Sequence, residues 1–480
     1  MDNNATYENR WIILVVTLAL AFMSNLDASI VNVALPDMAQ KLHAGTAGIS
    51  WVVTIYYLVI VAFIIFFGKL SDLTGKSWIF RAGIILFVIG SLSCGISNNL
   101  AFLLSSRVVQ GLGAAAAMAT SQGIIAEVFP HGERGRALGI FGAAAALGNL
   151  SGPPAGGFIV SFWSWHYIFL INIPIGIVFL ILGLKYLPHD SEKLHNSKAL
   201  DLPGSSLFAI SMFTIFYSVS NIGIAGEVNL WTFFLLGLGL VLFIWFIFRE
   251  KRTSKPMLDL KLFGDKLFSL SLLCAFICYA VITGTTFLLP FYIQNLLGFS
   301  PHICGLILLT SPMILLIVAP LSGHASDKVG PEILTFFGLA IIGIGLVAMG
   351  LFYNHGTAVW LIISIIGLVA LGTGLFQSPN TSLIMSHVSK DKLGIASSIN
   401  ALMRYMGMAV GVMISAILLY GIMSARLGYR VLTYISGPQD NAFVFAFRLT
   451  MLVLAVMALL GAVLTGIRLI KHKQTAPIQT

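Results

Sequence analysis

Fourteen long apolar runs divide this 480-residue chain, and they constrain its fold more than any other feature. Their cores are residues 11–35, 49–67, 79–97, 100–126, 137–160, 167–187, 203–223, 229–248, 268–296, 303–322, 333–352, 358–382, 394–420 and 444–468. About 20 apolar residues span the roughly 30 Å of a bilayer's hydrocarbon as a helix. The runs are continuous rather than alternating, which points to helices and excludes the ten-residue strands of a membrane barrel. Only 9% of residues are charged, against about 25% in soluble domains. That scarcity excludes three soluble domains of this total length, and it excludes disorder and disulfide scaffolds. The fold class expected is an all-α integral membrane protein of fourteen spans.

The net charge of +9 would suggest nucleic acid in a soluble protein. Here the basic residues fall in the gaps between runs, which is a topology signal. With the N-terminus cytoplasmic, 21 of the 27 Lys and Arg residues fall inside. Lys41, Arg426 and Arg430 fall outside, and Arg107, Arg404 and Arg448 lie within spans. This bias places both termini in the cytoplasm. The first run is too long for a secretory h-region and carries no small-residue cleavage site. The four cysteines, Cys94, Cys274, Cys278 and Cys304, sit in or beside apolar runs and fit packing better than metal binding.

An internal echo organises the chain. Gly68-Lys69-Leu70-Ser71-Asp72-Leu73-Thr74-Gly75 ends the second span, and Gly323-His324-Ala325-Ser326-Asp327-Lys328-Val329-Gly330 ends the tenth. Both read G-x-x-S-D-x-x-G. If spans 1–6 and 9–14 are equivalent six-helix halves, these are matching positions, and spans 7 and 8 are then an inserted pair. The expected domains are residues 1–190, an inserted region 191–266, and 267–480, with polar segments 188–201 and 249–266 as linkers.

Four constellations carry candidate chemistry. The first is the loop with Gly68, Asp72, Gly75 and Lys76, where two helices can approach closely. Asp72 can face a neighbouring helix N-terminus, and Lys76 can pair with Glu127. Asp327 is the matching acid of the second copy, and together they read as a conformational latch. The second is Gly139-x8-Gly148-x3-Gly152-Pro153-x2-Gly156-Gly157 in the fifth span, small residues that permit close helix packing around a proline kink. The third is the ionisable pair Asp27 and Arg107. At 1.5 Å per residue, each lies about 12–13 Å in from the same end of its span. An ionisable group inside a span is a functional candidate by default, and Asp27 is the one acid deep in any run. The fourth comprises Tyr292, Gln294, Gln377, Asn380 and Arg404 in the second half. They either line a cavity, with Asn32 and Gln110 on the first-half side, or bond helices together.

These residues resemble the major facilitator superfamily, in particular its fourteen-span drug:proton antiporters. The loop at Gly68–Lys76 looks like the family's loop between spans 2 and 3. Leu103-x3-Arg107-x2-Gln110-Gly111-x-Gly113 looks like its span-4 arginine motif, and Gly139–Gly157 is similar to its antiporter motif. Leu26-Asp27 through Leu35-Pro36, Asn172-x-Pro174-x-Gly176, and Pro290-Phe291-Tyr292 through Pro301 resemble further family signatures. The resemblance implies two six-helix bundles, alternating access, and proton-driven export with Asp27 and Arg107 as the coupling pair. The chain departs from the family pattern at Leu73, where a basic residue is usual, and at His166, where an arginine is often found. Spans 9–14 carry no acid in their cores, which favours lipophilic monocations, neutral compounds, amphiphiles or anions over dications.

The expected function is proton-coupled export of small lipophilic or amphiphilic compounds. The rival on the same fold is a dedicated exporter of an endogenous lipid, fatty acid, siderophore or amino acid. No catalytic constellation marks an enzyme, and no Gly-x4-Gly-Lys-Ser/Thr loop marks a primary pump. No metal or organic cofactor is expected, only the proton gradient. The expected partners are substrate, protons and the bilayer of the cell membrane, with no nucleic acid, and the chain is expected to act as a monomer.

Overall fold

The computed structural model describes residues 9–130, 133–188, 201–221, 230–253, 256, 258, 260–388, 393–431 and 433–475. Among them run fourteen long helices and no strand. They are α1 Arg10–Lys41, α2 Thr46–Thr74, α3 Lys76–Gly95, α4 Leu100–Val128, α5 Arg134–Phe162, α6 Tyr167–Tyr186 and α7 Leu202–Ser220. After these come α8 Leu230–Arg252, α9 Lys266–Leu296, α10 Pro301–Ser326, α11 Pro331–Phe352, α12 Val359–Ser386, α13 Leu393–Leu427 and α14 Asp440–Thr475. Thirteen are long and apolar enough to cross a membrane. The other is α5, 29 residues long, whose Gly, Ser, Asn and Pro content makes it less apolar. Most of the segment 188–201 lies outside the described residues, so its reading as a linker has no structural counterpart here.

Local chemistry sets several helix ends. Asn99 accepts from the Phe102 N–H at 2.8 Å, and Asp265 accepts from the Leu267 and Phe268 N–H groups, each satisfying donors that a helix start leaves open. Gly75 and Gly330 terminate α2 and the helix before α11 with φ of 108° and 91°, a backbone region that favours glycine. In both copies the glycine N–H donates to the serine carbonyl four residues back, Ser71 at 2.9 Å and Ser326 at 3.1 Å. The repeated motif is thus a repeated turn. Past Pro290, α9 ends in a π turn over Phe291–Leu296.

Two compact units divide the chain. One comprises residues 1–259 and 300–305, the other 260–299 and 306–480. Within the first, α1 packs on α5, α2 on α4, and α3 on both α4 and α6. Within the second, the same pairs recur eight helices later: α9 on α13, α10 on α12, and α11 on both α12 and α14. The intervening α7 and α8 pack on each other, and α7 also touches α2.

Glycines make these close pairs possible. A Cβ on Gly83 would press on Gly113 and Ala116 of α4, and one on Gly90 on the Gln110 backbone. Gly338 and Gly345, each 255 positions on, do the same against α12. Gly148 and Gly152 of α5 lie against Phe22, Ser29 and Ile30 of α1, and Gly407 and Gly411 of α13 lie against Phe276 and Ala280 of α9. A stripe of glycines against the neighbouring helix is therefore present in both units. Gly139 does not share it, because nothing lies within 4 Å of the Cβ it would carry. Nine residues before Gly148 is two and a half helical turns, which puts Gly139 on the opposite face.

Candidate functional site

The charged core of the first unit forms where α1, α3, α4 and α6 meet. Asp27 and Arg107 are both wholly shielded, at 0% exposure. Arg107 Nη1 sits 2.5 Å from Asp27 Oδ2 and 2.6 Å from Gln110 Oε1, and its Nε donates to the Val52 carbonyl at 3.0 Å. The guanidinium also lies over the Tyr56 ring, 4.3 Å from its centre. Asp27 Oδ1 accepts from Gln110 Nε2 at 2.8 Å and from Asn172 Nδ2 at 3.3 Å. Gln110 is held in turn by the Ser91 hydroxyl at 2.9 Å.

The pair that the sequence placed at one depth is thus one hydrogen-bonded cluster. Two buried charges survive in a low-dielectric interior only with this degree of pairing and donor satisfaction. Chemically the cluster is a carboxylate whose charge is cancelled by one cation, so adding a proton releases the arginine from its counter-ion. Ser91 and Asn172 belong to it as much as Gln110. The sequence singled out Asn172 only within a signature, and Ser91 gave no signal beyond being polar in an apolar run. His166, the departure before α6, bonds the Ser97 carbonyl at 2.9 Å and stacks on Trp165.

Asn32 lies five residues beyond Asp27. Its amide donates to the Ala28 carbonyl of its own helix at 3.2 Å, and its Oδ1 is buried without a hydrogen-bond partner. Of the α5 motif, Gly148 abuts the Leu26 N–H region and Gly156 abuts the Ile30 carbonyl, so the stripe grips α1 on either side of Asp27. Pro153 and Pro154 sit within α5 without ending it. Gly157 meets the backbone of Pro301 and His302, which belong to the same unit.

The loop after α2 forms an ion cluster. Lys76 Nζ lies 2.5 Å from Glu127 Oε1 and 3.6 Å from Asp72 Oδ1. The Lys76 stem occupies a groove left by Gly123, one turn before Glu127. One expectation needs correcting here. Gly68 has open space where a Cβ would stand, so no helix approaches closest at that point. Asp72 is largely exposed, at 68%, and pairs with Lys76. Asp327 falls on the helix ending at Val329, and its side chain lies outside the described set.

A buried acidic pair joins the inserted helices. Asp201 caps α7 through the Gly204 N–H at 3.0 Å and accepts from Arg249 at 2.6 Å. Glu250 accepts from the Leu258 N–H at 2.8 Å, and its carboxyl group and that of Asp201 both lie against Gly204. Burial alone would raise the Asp201 carboxyl, but the Arg249 and Gly204 hydrogen bonds outweigh it and hold the group below its ordinary range. Lys69 reaches the Pro256 carbonyl, tying the end of α2 to the same corner. The sequence reading took Arg249–Lys266 as a solvated linker, so it missed this cluster.

In the second unit the polar residues divide. Tyr292 is fully buried, donates to the Asn354 carbonyl at 2.7 Å, bonds Thr357 and stacks on Tyr353 and Phe447. Asn380 donates to the Ser271 carbonyl at 3.1 Å. Tyr292 thus ties α9 to the loop between α11 and α12, and Asn380 ties α12 to α9, the bonding alternative of the two open for them. Gln294, Gln377 and Arg404 are each partly exposed. All four cysteines are buried and free.

A family model for the Major Facilitator Superfamily matches residues 17–412 and 271–479. The riboflavin transporter RibZ of Clostridioides difficile is 37% identical over 84% of this chain and 87% of its own length. The multidrug resistance protein Stp of Mycobacterium tuberculosis is 34% identical over 85% of this chain and 75% of its own. The crystal structure of a peptide transporter, POT, in complex with sulfate superposes with a TM-score of 0.68, at 16% identity, over 97% of this chain and 99% of that one.

Proposed function

Since the chain belongs to the Major Facilitator Superfamily and is a multi-pass membrane transporter, we propose that it exports small lipophilic or amphiphilic compounds in exchange for protons. The observation that carries this reading is the wholly buried, charge-cancelled cluster of Asp27, Arg107, Gln110 and Asn172. Protonation of Asp27 leaves Arg107 without its counter-ion, and breaking such a buried pair is worth about 3–5 kcal/mol. That is ample to favour a conformation in which Arg107 finds other acceptors. Outward-facing, Asp27 takes a proton and substrate leaves. Inward-facing, the proton leaves and new substrate enters.

The glycine stripe of α5 transmits the change because it grips α1 around Asp27. The Lys76–Glu127–Asp72 cluster, and Asp327 in the second copy, act as latches of one state. One charge crossing about 100 mV supplies roughly 2.3 kcal/mol, enough for about a fiftyfold gradient. The Lys and Arg bias supports both termini in the cytoplasm, with the protein acting as a monomer in the cell membrane. The multidrug resistance relative supports drug-like cargo. A second reading, dedicated transport of an endogenous compound, is favoured by the riboflavin transporter among the relatives.

The test is transport by purified protein in liposomes under an imposed pH gradient, with a panel of monocations, dications, riboflavin and neutral amphiphiles. Gradient-driven accumulation of several unrelated lipophilic compounds, abolished by a protonophore, is expected. Accumulation of riboflavin alone favours the second reading, and transport indifferent to the gradient refutes proton coupling.

A further inference from the structure

We infer that Arg404, held between Tyr279 and Tyr405, binds the anionic end of an amphiphilic substrate. This rests on the transporter reading above and names the charge of one class of cargo. The observation is that Arg404, unlike Arg107, has no carboxylate against it among the described residues and, unlike Arg468, is partly exposed.

Arg107 has a carboxylate, an amide oxygen and a carbonyl. Arg448 donates to the Gly350 and Leu351 carbonyls at 2.6 and 2.8 Å, at the C-terminal and therefore electronegative end of α11. Arg468, near the end of α14, donates to the Ser271 and Thr335 hydroxyls, both at 2.8 Å. Among the described residues Arg404 has no carboxylate partner: it donates to the Tyr405 hydroxyl at 3.3 Å and lies beside the Tyr279 hydroxyl. It also leans over the Tyr405 ring, 4.9 Å from its centre, and its Nε is buried with no hydrogen-bond partner.

Among the described residues no carboxylate pairs with this cation. It lies eleven residues into α13, about 16 Å from the start of the helix, where lipid would surround an uncompensated charge. The acids of the second half stand at helix ends and in loops, and none lies at this depth. Arg404 is nonetheless partly exposed, so a ligand can reach it.

The close pairing of α9 and α13 explains how the two tyrosines come to flank it. Gly407 and Gly411 let the helices touch at Phe276 and Ala280, and this brings Tyr279 alongside Arg404. The Tyr405 hydroxyl accepts from the guanidinium, and the Tyr279 hydroxyl lies beside it. Guanidinium N–H groups only donate, which is the chemistry of a carboxylate site. The aromatic walls suit an apolar or ring-bearing body behind that carboxylate. A resident anionic lipid offers the same chemistry, so the test separates lipid from cargo.

The experiment is equilibrium binding of a radiolabelled aryl-alkyl carboxylate, and of its primary amide, to the purified full chain in neutral detergent. No gradient is applied, so a failure of proton coupling would leave this result standing. Wild type should bind the carboxylate at least tenfold more tightly than the amide. Arg404→Gln should erase that preference, Arg404→Lys should keep part of it, and Tyr279→Phe and Tyr405→Phe should each weaken it severalfold. Elution as a single species with an unchanged melting temperature identifies variants that fold. Equal affinity for acid and amide in wild type, no saturable binding of either, or a preference that survives Arg404→Gln would overturn the proposal. Displacement by one equivalent of phosphatidylglycerol would assign the site to a resident lipid and overturn it as a cargo site.

Discussion

Adding one methyl group at Gly148 should damage this protein, whereas the same change at Gly139 should not. Both residues are glycines of α5 and belong to one sequence pattern. A Cβ on Gly148 would collide with the Phe22 carbonyl oxygen and stand 3.1 Å from the Leu26 nitrogen, whereas one on Gly139 would meet nothing within 4 Å. The Phe22 oxygen is backbone, so relief requires α1 and α5 to move apart. Overpacking of this kind costs about 1–3 kcal/mol. Gly139→Ala relieves the entropic cost of glycine in a helix and should stabilise by about 0.5–1 kcal/mol. Gly152→Ala falls with Gly148→Ala, because its methyl meets Ser29, whose hydroxyl bonds the Asn149 carbonyl at 3.1 Å.

The assay is equilibrium unfolding of purified variants in mixed micelles, followed by tryptophan fluorescence, with transport measured in parallel. Leu26 precedes Asp27, so Gly148→Ala should reduce proton-driven transport more than its stability loss alone accounts for. A Gly139→Ala variant as unstable as Gly148→Ala, or a neutral Gly148→Ala, would refute the face-specific packing argued here.

Other perturbations separate strong contacts from weak ones. Gln110→Leu leaves Asp27 Oδ1 with Asn172 as its remaining donor and should cost about 1.5–3 kcal/mol in the same unfolding assay, the range for hydrogen bonds to a buried charge. Lys76→Gln and Glu127→Gln should each cost no more than about 1 kcal/mol, because these side chains are 23% and 53% exposed. In a double-mutant cycle the two should be non-additive, and the effect should shrink as salt rises. Asp201 is held below the ordinary carboxylate range in the fold, so its contribution is present above the unfolded value and lost as pH falls through the folded one. Acid unfolding of wild type should therefore show a steeper loss below the ordinary aspartate range than Asp201→Asn, read as the pH dependence of the melting temperature.

What the sequence disclosed follows from lipid as solvent. Spans must be long and apolar, so all fourteen helices were legible as apolar runs, although the Gly-rich α5 falls short of the other thirteen in hydropathy. Asp27 and Arg107 could be paired in advance because charge is scarce in the spans and depth can be counted along a helix. Gln110 was in view as a polar neighbour of Arg107, but its bridge from Arg107 to Asp27 depends on side-chain direction, which spacing does not give.

Charge near a helix end is ambiguous in sequence, which is why Asp201 and Glu250 read as linker residues although both are buried. Polar residues at bundle depth are equally ambiguous. Tyr292 bonds the loop between α11 and α12 and Asn380 bonds α9, while Arg404 has no acid among the described residues. Gly139 was grouped with Gly148 as one spaced glycine pattern, although helical phase puts the two on opposite faces.

The central claim is that Asp27 carries the coupling proton. It is tested most directly by comparing wild type with Asp27→Asn in liposomes, measuring both exchange of labelled substrate at equal concentrations and accumulation driven by a pH gradient. The account predicts that Asp27→Asn still exchanges substrate yet no longer accumulates it and no longer moves protons when substrate is added. Asp27→Asn accumulating substrate as far as wild type under the same gradient would contradict it.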